Sequence, residues 1–299
     1  MTANKKKIIF AGSGFLAIPQ IEALAKAYNL EIITQKNNTP AKNSAMRLKL
    51  PIHEISNVSE LEKFLTRLKP DVLIVSDFGI ILSEKALKIP KLVLNTHPSL
   101  LPKYRGPSPY VSAILNGEEE TGVSLIKMTR RVDAGPIYTW VELKVEKNET
   151  STSLREKLGR LAGKTLAIKL EKIIAGKLTP TPQNEKEATY TKLFKKEDGQ
   201  INWQEPSRII ERKIRAFNPW PGTFAFFKLK NGKKIRVKIL EARIKEGEDL
   251  NPGEIKQENN ELKIKTGENY LVIKKIQPEG KKPMTAEEFL RGYNIKLLK

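Results

Sequence analysis

The chain has 299 residues, enough for two domains with separate cores. It contains no cysteine and no apolar run of membrane-spanning length, which excludes disulfides, a thiol nucleophile, thiolate metal sites and a spanning helix. Its formal charge is +20, and residues 200–299 hold 22 Lys and Arg against 13 Asp and Glu, so the basic excess is spread over both halves and suits a polyanionic partner, RNA first.

Met1–Lys7 leads into an apolar segment too short for a signal peptide, so the expected location is the cytoplasm. Ile8–Ala11 reads as the first strand and Gly12-Ser13-Gly14 as a tight turn. The Gly-x-Gly-x-x-Gly pattern is incomplete, because Ala17 stands at the third glycine position. Ala17–Tyr28 reads as a helix with Ile18, Ile21, Leu24 and Ala25 on one face, followed by a strand at Leu30–Thr34. Pro51–Ile55 alternates and carries His53, read as a strand histidine outside catalysis. Asp71–Ser76 is almost continuously apolar, the pattern of a parallel strand buried on both faces, and Leu92–Leu94 is another. Val123–Met128 and Tyr138–Leu143 alternate, which predicts an antiparallel edge. Ser151-Thr152-Ser153 offers the cap of a long helix carrying Leu154, Leu158, Leu161 and Ile168. This alternation predicts a doubly wound, mostly parallel α/β sheet of Rossmann-like type over residues 1–179.

Composition changes at Leu178–Asn202, where Thr-Pro repeats and many Lys and Glu replace apolar residues, so 180–202 reads as a linker. A helix at Pro206–Ala216 follows. Short strands then recur at Thr223–Leu229, Lys234–Ala242, Glu261–Lys265 and Tyr270–Ile276, separated by turns such as Asn231-Gly232. This spacing predicts a small OB-like β-barrel over 203–299.

The chain has only two histidines, and His97 stands two residues after Asn95, with Asp133 further on. An Asn, a His and an Asp can together polarise a carbonyl and take a proton from an attacking nucleophile, which is acyl-transfer chemistry. The plainer reading makes His97 a loop residue satisfied by backbone and Asn95 a turn residue. A lone histidine in each place and no cysteine leave no zinc site.

The run Asn95-Thr96-His97-Pro98-Ser99-Leu100-Leu101-Pro102 with Arg105-Gly106, and then Asp133, resembles the signature of the folate-dependent formyltransferases. Phe10–Pro19, Tyr190–Trp203, Ile214–Phe224, Gln277–Met284 and Ala286–Leu290 resemble stretches of the methionyl-tRNA formyltransferases, so the resemblance covers nearly the whole chain. It implies transfer of a formyl group from 10-formyltetrahydrofolate to the α-amine of initiator methionyl-tRNA by a monomer that needs no metal. It makes His97 the proton acceptor or relay, Asn95 the oxyanion donor and Asp133 the support of His97. Phe78, Gly79 and Ile80 would line the pterin pocket, with Ser99, Leu100, Leu101 and Pro102 shaping the formyl-donor site. Ser13 and Leu16 would lie near the formyl group or the methionine side chain, although the family often has Thr-Pro where this chain has Ser13-Gly14, and Phe where it has Leu16. The family also inserts a Gly/Arg/Lys-rich loop after the second strand. Here Thr34–Lys42 is short and holds only Lys36 and Lys42, which with Arg47 serve a reduced version or are compensated elsewhere. Arg105 is a phosphate or carboxylate contact, or pairs within the fold. Lys234, Arg236 and Lys238 share one strand face, opposite Ile235, Val237 and Ile239, and are the candidate phosphate contacts.

Overall fold

The structure is a computed structural model that describes residues 6–37, 39–229, 231–258, 260–293 and 295–297. Most of the N-terminal lysine-rich lead-in, residues 1–5, lies outside the described residues. The chain forms two compact units: Met1–Tyr110, Glu119–Val145 and Ser153–Lys192 make the first, and Val111–Glu118, Glu146–Thr152 and Leu193–Lys299 the second.

In chain order the first half runs β1 (Ile8–Ala11), α1 (Ala17–Ala25), β2 (Leu30–Gln35), α2 (Pro40–Arg47), β3 (Ile52–Ile55), α3 (Val58–Leu68), β4 (Val72–Val75), α4 (Glu84–Lys88), β5 (Leu92–His97), α5 (Pro109–Asn116), β6 (Glu120–Lys127), β7 (Ile137–Lys144) and α6 (Ser151–Ile174). The sheet order is β3-β2-β1-β4-β5-β6-β7. β1 to β5 are parallel, and β6 and β7 are antiparallel. Both faces are covered, which is why the central strands read as continuous apolar runs. Ile8, Phe10, Ile32, Val72 and Ile74 pack with residues of α1 and α6 on one side. Ile9, Ala11, Ile33, Leu73 and Val75 pack with residues of α3 on the other. Strand order reverses between β1 and β4, and such a reversal opens a ligand crevice beyond the carboxyl ends of the strands.

The helices α2 to α5 escape the chain-order reading. α2 and α3 are set by their caps: the Thr39 side chain accepts from Lys42 N ahead of Pro40, and the Asn57 side chain accepts from Glu60 N. α1 ends at Ala25, and its buried face is Ala17, Gln20, Ile21 and Leu24. Gln20 is fully buried because both ends of its amide are used: Nε2 donates to Ser76 Oγ at 2.8 Å, and Oε1 accepts from Thr96 Oγ1 at 2.8 Å.

The second unit contains α7 (Ser207–Ala216), then β8 (Phe224–Leu229), β9 (Lys234–Lys245), β10 (Ile255–Glu258), β11 (Glu261–Lys265), β12 (Tyr270–Pro278), β13 (Met284–Thr285), α8 (Ala286–Gly292) and β14 (Ile295–Leu297). The order is β10-β11-β12-β9-β8-β14, with β13 beside β12, and every pairing is antiparallel. The β12–β9 register slips between Ile273 and Ile276, the kind of irregularity that bends a sheet. The result is the curled antiparallel sheet of an OB-like half-barrel. Its core is built from Phe227, Val237, Ile239, Leu271, Ile273 and Phe289, with Ile210 and Ile214 from α7. Among the described residues no helix is long and apolar enough to cross a membrane.

Candidate active site

β5 runs three residues further than its apolar stretch suggests, so Asn95 and His97 stand on a strand rather than in a loop. Strand alternation places these two side chains on one face, while Thr96 turns the other way to Gln20. Asp133 comes from the turn between β6 and β7, in the left-handed region at φ 51°. Its carboxylate joins the trio. Oδ1 accepts from Asn95 Nδ2 at 3.1 Å; Oδ2 accepts from Gly106 N at 2.9 Å and lies 3.4 Å from His97 Nδ1.

The other ring nitrogen of His97, Nε2, lies 2.8 Å from the Tyr104 carbonyl oxygen. A carbonyl only accepts, so Nε2 carries a hydrogen and Nδ1 is the atom that takes up a proton. His97 is 4% exposed, and once protonated its ring faces a carboxylate across a largely dry contact. Asn95 has two amide hydrogens, one spent on Asp133, which leaves one for an oxygen that gains negative charge. The arrangement can therefore accept a proton and stabilise an oxyanion at one place. The Tyr104 carbonyl is a partner that sequence cannot announce, since any residue could supply it. Tyr104 is itself at φ 62°, and Asp77 at φ 51°; strained non-glycine backbone of this kind gathers at functional sites.

Ser99 is fully buried, and its Oγ donates to Lys103 O at 2.7 Å. Ser124 Oγ donates to Ser99 O at 2.7 Å and accepts from Leu101 N at 3.0 Å, which pins the Ser99–Pro102 turn to β6. Phe78 and Leu101 are core residues at 3% and 6% exposure, whereas Ile80, Leu100 and Pro102 are partly open and Gly79 is exposed. Ser13 is a structural joint: its Oγ donates to Phe78 O and accepts from Gln35 N at 3.0 Å. Leu16 is buried at 4%. Gly12 has no room for a side chain, because a Cβ would lie 2.8 Å from the Ser76 carbonyl oxygen.

Lys36 lies 3.6 Å from Glu60, Lys42 2.7 Å from Glu54 and Arg47 3.4 Å from Glu22, so the short loop's cations are paired within the fold. Arg105 takes the second of its two readings. It is 1% exposed, and its guanidinium is used by Gln183, Glu185 and Tyr190. Its guanidinium is thus fully engaged within the fold. In the second unit Lys234 lies 4.1 Å over the Phe226 ring, and Arg236 lies 3.7 Å over Phe224. Lys238 stands on the same side of β9, its stem against Gly222. A cavity of about 680 Å³ in that unit, lined by Trp203, Phe226 and Lys234 among others, contains none of the trio.

A second group at the carboxyl ends went unread in sequence: Asp77 after β4, Arg155 of α6, Phe15 and Tyr110. Asp77 shows surface to solvent, yet neighbouring walls desolvate its carboxyl and push it up. The Leu16 N–H, at 3.3 Å, and the Arg155 charge oppose the rise. Arg155 lies 4.4 Å over the Phe15 ring, and its buried Nε has no hydrogen-bond partner among the described residues. Burial and the Asp77 charge push the Tyr110 hydroxyl up. A carboxyl raised in the folded state favours folding below its unfolded value and loses that contribution as pH rises through the folded value. Asp77→Asn keeps an acceptor for Leu16 and suits left-handed backbone. It is expected to raise the melting temperature near pH 7, with the gain disappearing below about pH 4, as thermal melts across pH will show.

The doubly wound sheet carries an Asn–His–Asp cluster at its carboxyl edge, and a half-barrel follows it in sequence. Residues 23–169 match the family model described as Formyl transferase, and 193–294 match Formyl transferase, C-terminal domain. The methionyl-tRNA formyltransferase of Roseiflexus castenholzii is 34% identical over 97% of this chain and 96% of its own length, and that of Enterococcus faecalis 36% over 96% of both. The chain belongs to the methionyl-tRNA formyltransferase family. Solved structures share the fold at lower identity. HypX from Aquifex aeolicus in complex with tetrahydrofolic acid has a TM-score of 0.66 at 19% identity, over 96% of this chain and 47% of that one. The N-formyltransferase from Helicobacter canadensis, in complex with folinic acid and dTDP-3-aminofucose, has a TM-score of 0.69 at 19% identity, over 91% of this chain and 99% of that one.

Proposed function

We propose that this chain transfers the formyl group of 10-formyltetrahydrofolate to the α-amine of initiator methionyl-tRNA, as a cytoplasmic monomer. The observation that carries the reading is the single carboxylate of Asp133, which gathers Asn95 and His97 on one strand face. The chemistry of the groups fits a formyl donor: a formyl oxygen needs an N–H, and an attacking amine needs a base. The irregular backbone at Gly79–Ile81, with Ile80 partly open, offers hydrogen-bonding groups and an apolar side to a flat ring.

The amine must attack neutral, and a free α-amine titrates near about 8. Its nitrogen bonds to the formyl carbon and its proton passes to His97 Nδ1. The formyl oxygen becomes negative and takes the remaining Asn95 N–H. Collapse breaks the bond to the folate nitrogen, which leaves with the proton returned by His97. Asp133 balances the transient charge on the ring.

The second unit supports an RNA acceptor. On the β10–β12 side three cations are matched: Lys263 with Glu258, Lys265 with Glu248, Lys274 with Glu261. Lys233, Lys234, Arg236 and Lys238 make no ion pair among the described residues, so this end of β9 presents net positive charge, with aromatic rings beneath. Lys234→Ala and Lys238→Ala are each expected to raise KM for the tRNA with kcat nearly unchanged, and to lower the slope of log KM against log salt by about 1. Steady-state formylation of initiator tRNA, elongator tRNA and free methionine over a salt series tests the reading. Transfer to free methionine at the rate seen with tRNA, independent of salt, would overturn it.

A further inference from the structure

Residues 181–191 read as linker by composition, yet they are bound along the first unit. Thr181 and Ile137 exchange backbone hydrogen bonds of 2.8 Å each. Arg105 N donates to Thr189 O at 2.9 Å, and Thr191 N to Arg105 O at 2.7 Å. The segment also reaches both groups that orient His97. Tyr104, whose carbonyl accepts from His97, donates its own N–H to Thr189 Oγ1 at 2.8 Å. Asp133 is held through Gln183, whose Nε2 donates to Asp133 O and Gly135 O, both at 2.7 Å.

We propose that Gln183 is a positioning residue for formyl transfer, fixing the left-handed Asp133 turn and thereby the contact between Asp133 and His97. The following observations carry this. The Gln183 amide cannot turn over, because its Oε1 accepts from Arg105 Nε at 3.1 Å and Nη2 at 2.7 Å, while its Nε2 meets two carbonyls. The guanidinium that orients it is 1% exposed and is held in turn by Glu185, whose Oε1 and Oε2 accept from Arg105 at 3.0 and 3.1 Å. Arg131, from the same turn as Asp133, reaches Glu185 Oε2 at 2.7 Å. The hydrogen bonds from Arg105 first, and those from Arg131, bring the Glu185 carboxyl down to about 2, so the latch stays charged across the working range. The backbone held this way is a non-glycine residue at φ 51°, a conformation that persists only where its surroundings over-determine it.

The inference rests on the formyl-transfer reading. Gln183→Glu keeps the shape and the acceptor for Arg105 but turns a carboxylate oxygen toward two carbonyls. Gln183→Leu keeps the volume and removes both donors. Each is expected to lower kcat about 10- to 100-fold with KM for folate and tRNA within about twofold, since a small displacement at a reacting group costs rate rather than binding. Asn184→Ala is the comparison: it removes two hydrogen bonds confined to the segment, to Lys186 N and Glu187, and is expected to keep kcat within about twofold. The chain has two histidines, so ring signals in NMR separate His97 from His53. The His97 signals are expected to move in both Gln183 variants and to stay in Asn184→Ala, with His53 unmoved throughout.

If wild type transfers formyl and either folded Gln183 variant keeps its kcat, or if Asn184→Ala loses as much, the proposal is overturned. Unmoved His97 signals overturn it independently of any turnover. Failure of wild type to transfer formyl would count against the functional reading instead, and the NMR arm would still decide the positioning role.

Discussion

His97→Ala is expected to lower formyl transfer by at least about 100-fold, and up to about 10,000-fold, with the fold retained. The ring is 4% exposed, but its neighbours are polar or backbone groups: the Tyr104 carbonyl, Asp133 and the end of β5. Its removal leaves Asp133 as the one titratable group of the trio, and that carboxylate is already taken by Asn95 Nδ2 and Gly106 N, while His53 is elsewhere, on β3 against Glu31 and Phe64. Because the attacking amine keeps its proton without Nδ1, the loss belongs in kcat and not in binding of either substrate. Rates with saturating substrates, with far-UV circular dichroism as the folding control, check this. A variant within threefold of wild type would remove His97 from the mechanism.

Asp133→Asn is expected to cost about 1,000-fold or more, comparable to the loss of the orienting carboxylate in a serine-protease triad, about 10,000-fold. Asparagine tolerates left-handed backbone, so the turn is preserved and the effect is chemical. The carboxylate accepts from Asn95 on one oxygen, and on the other accepts from Gly106 and faces His97. An amide has one oxygen. Whichever way it turns, its NH2 meets either the Asn95 NH2 or the Gly106 N–H, and an unmatched buried donor is costly. The negative charge that supports the protonated ring is also gone. The same steady-state assay, with melting to show that the fold survives, measures it.

What was legible in sequence followed from pattern. β1 and β4 announce themselves because strands covered on both faces must be apolar throughout. The apolar pattern of β5 stops at Leu94, because Asn95-Thr96-His97 is polar. Pairing with β4 on one side and β6 on the other carries the strand on and turns two of those residues into the site. The trio could be read because the chain has only two histidines, one of them two residues after an Asn, and the flanking run resembles a known signature. Tyr104 could not, since its contribution is a backbone carbonyl. Gln183 could not either: it lies 50 residues beyond Asp133, in a segment whose Thr, Pro, Lys and Glu content signals a linker. Polar segments of this kind still bind a fold when their hydrogen-bonding groups find matched partners. Arg105 shows the converse, a charged residue fully buried because a carboxylate, an amide oxygen and a phenol satisfy it.

The most direct test of the account is a single-turnover reaction with 10-formyltetrahydrofolate and initiator methionyl-tRNA, enzyme in excess, with the aminoacyl ester then hydrolysed and its amino acid weighed by mass spectrometry. Wild type is expected to convert the methionine to N-formylmethionine within one turnover, and His97→Ala, equally folded, to leave it as methionine. Formylmethionine formed equally by both proteins, or by neither, would contradict the account.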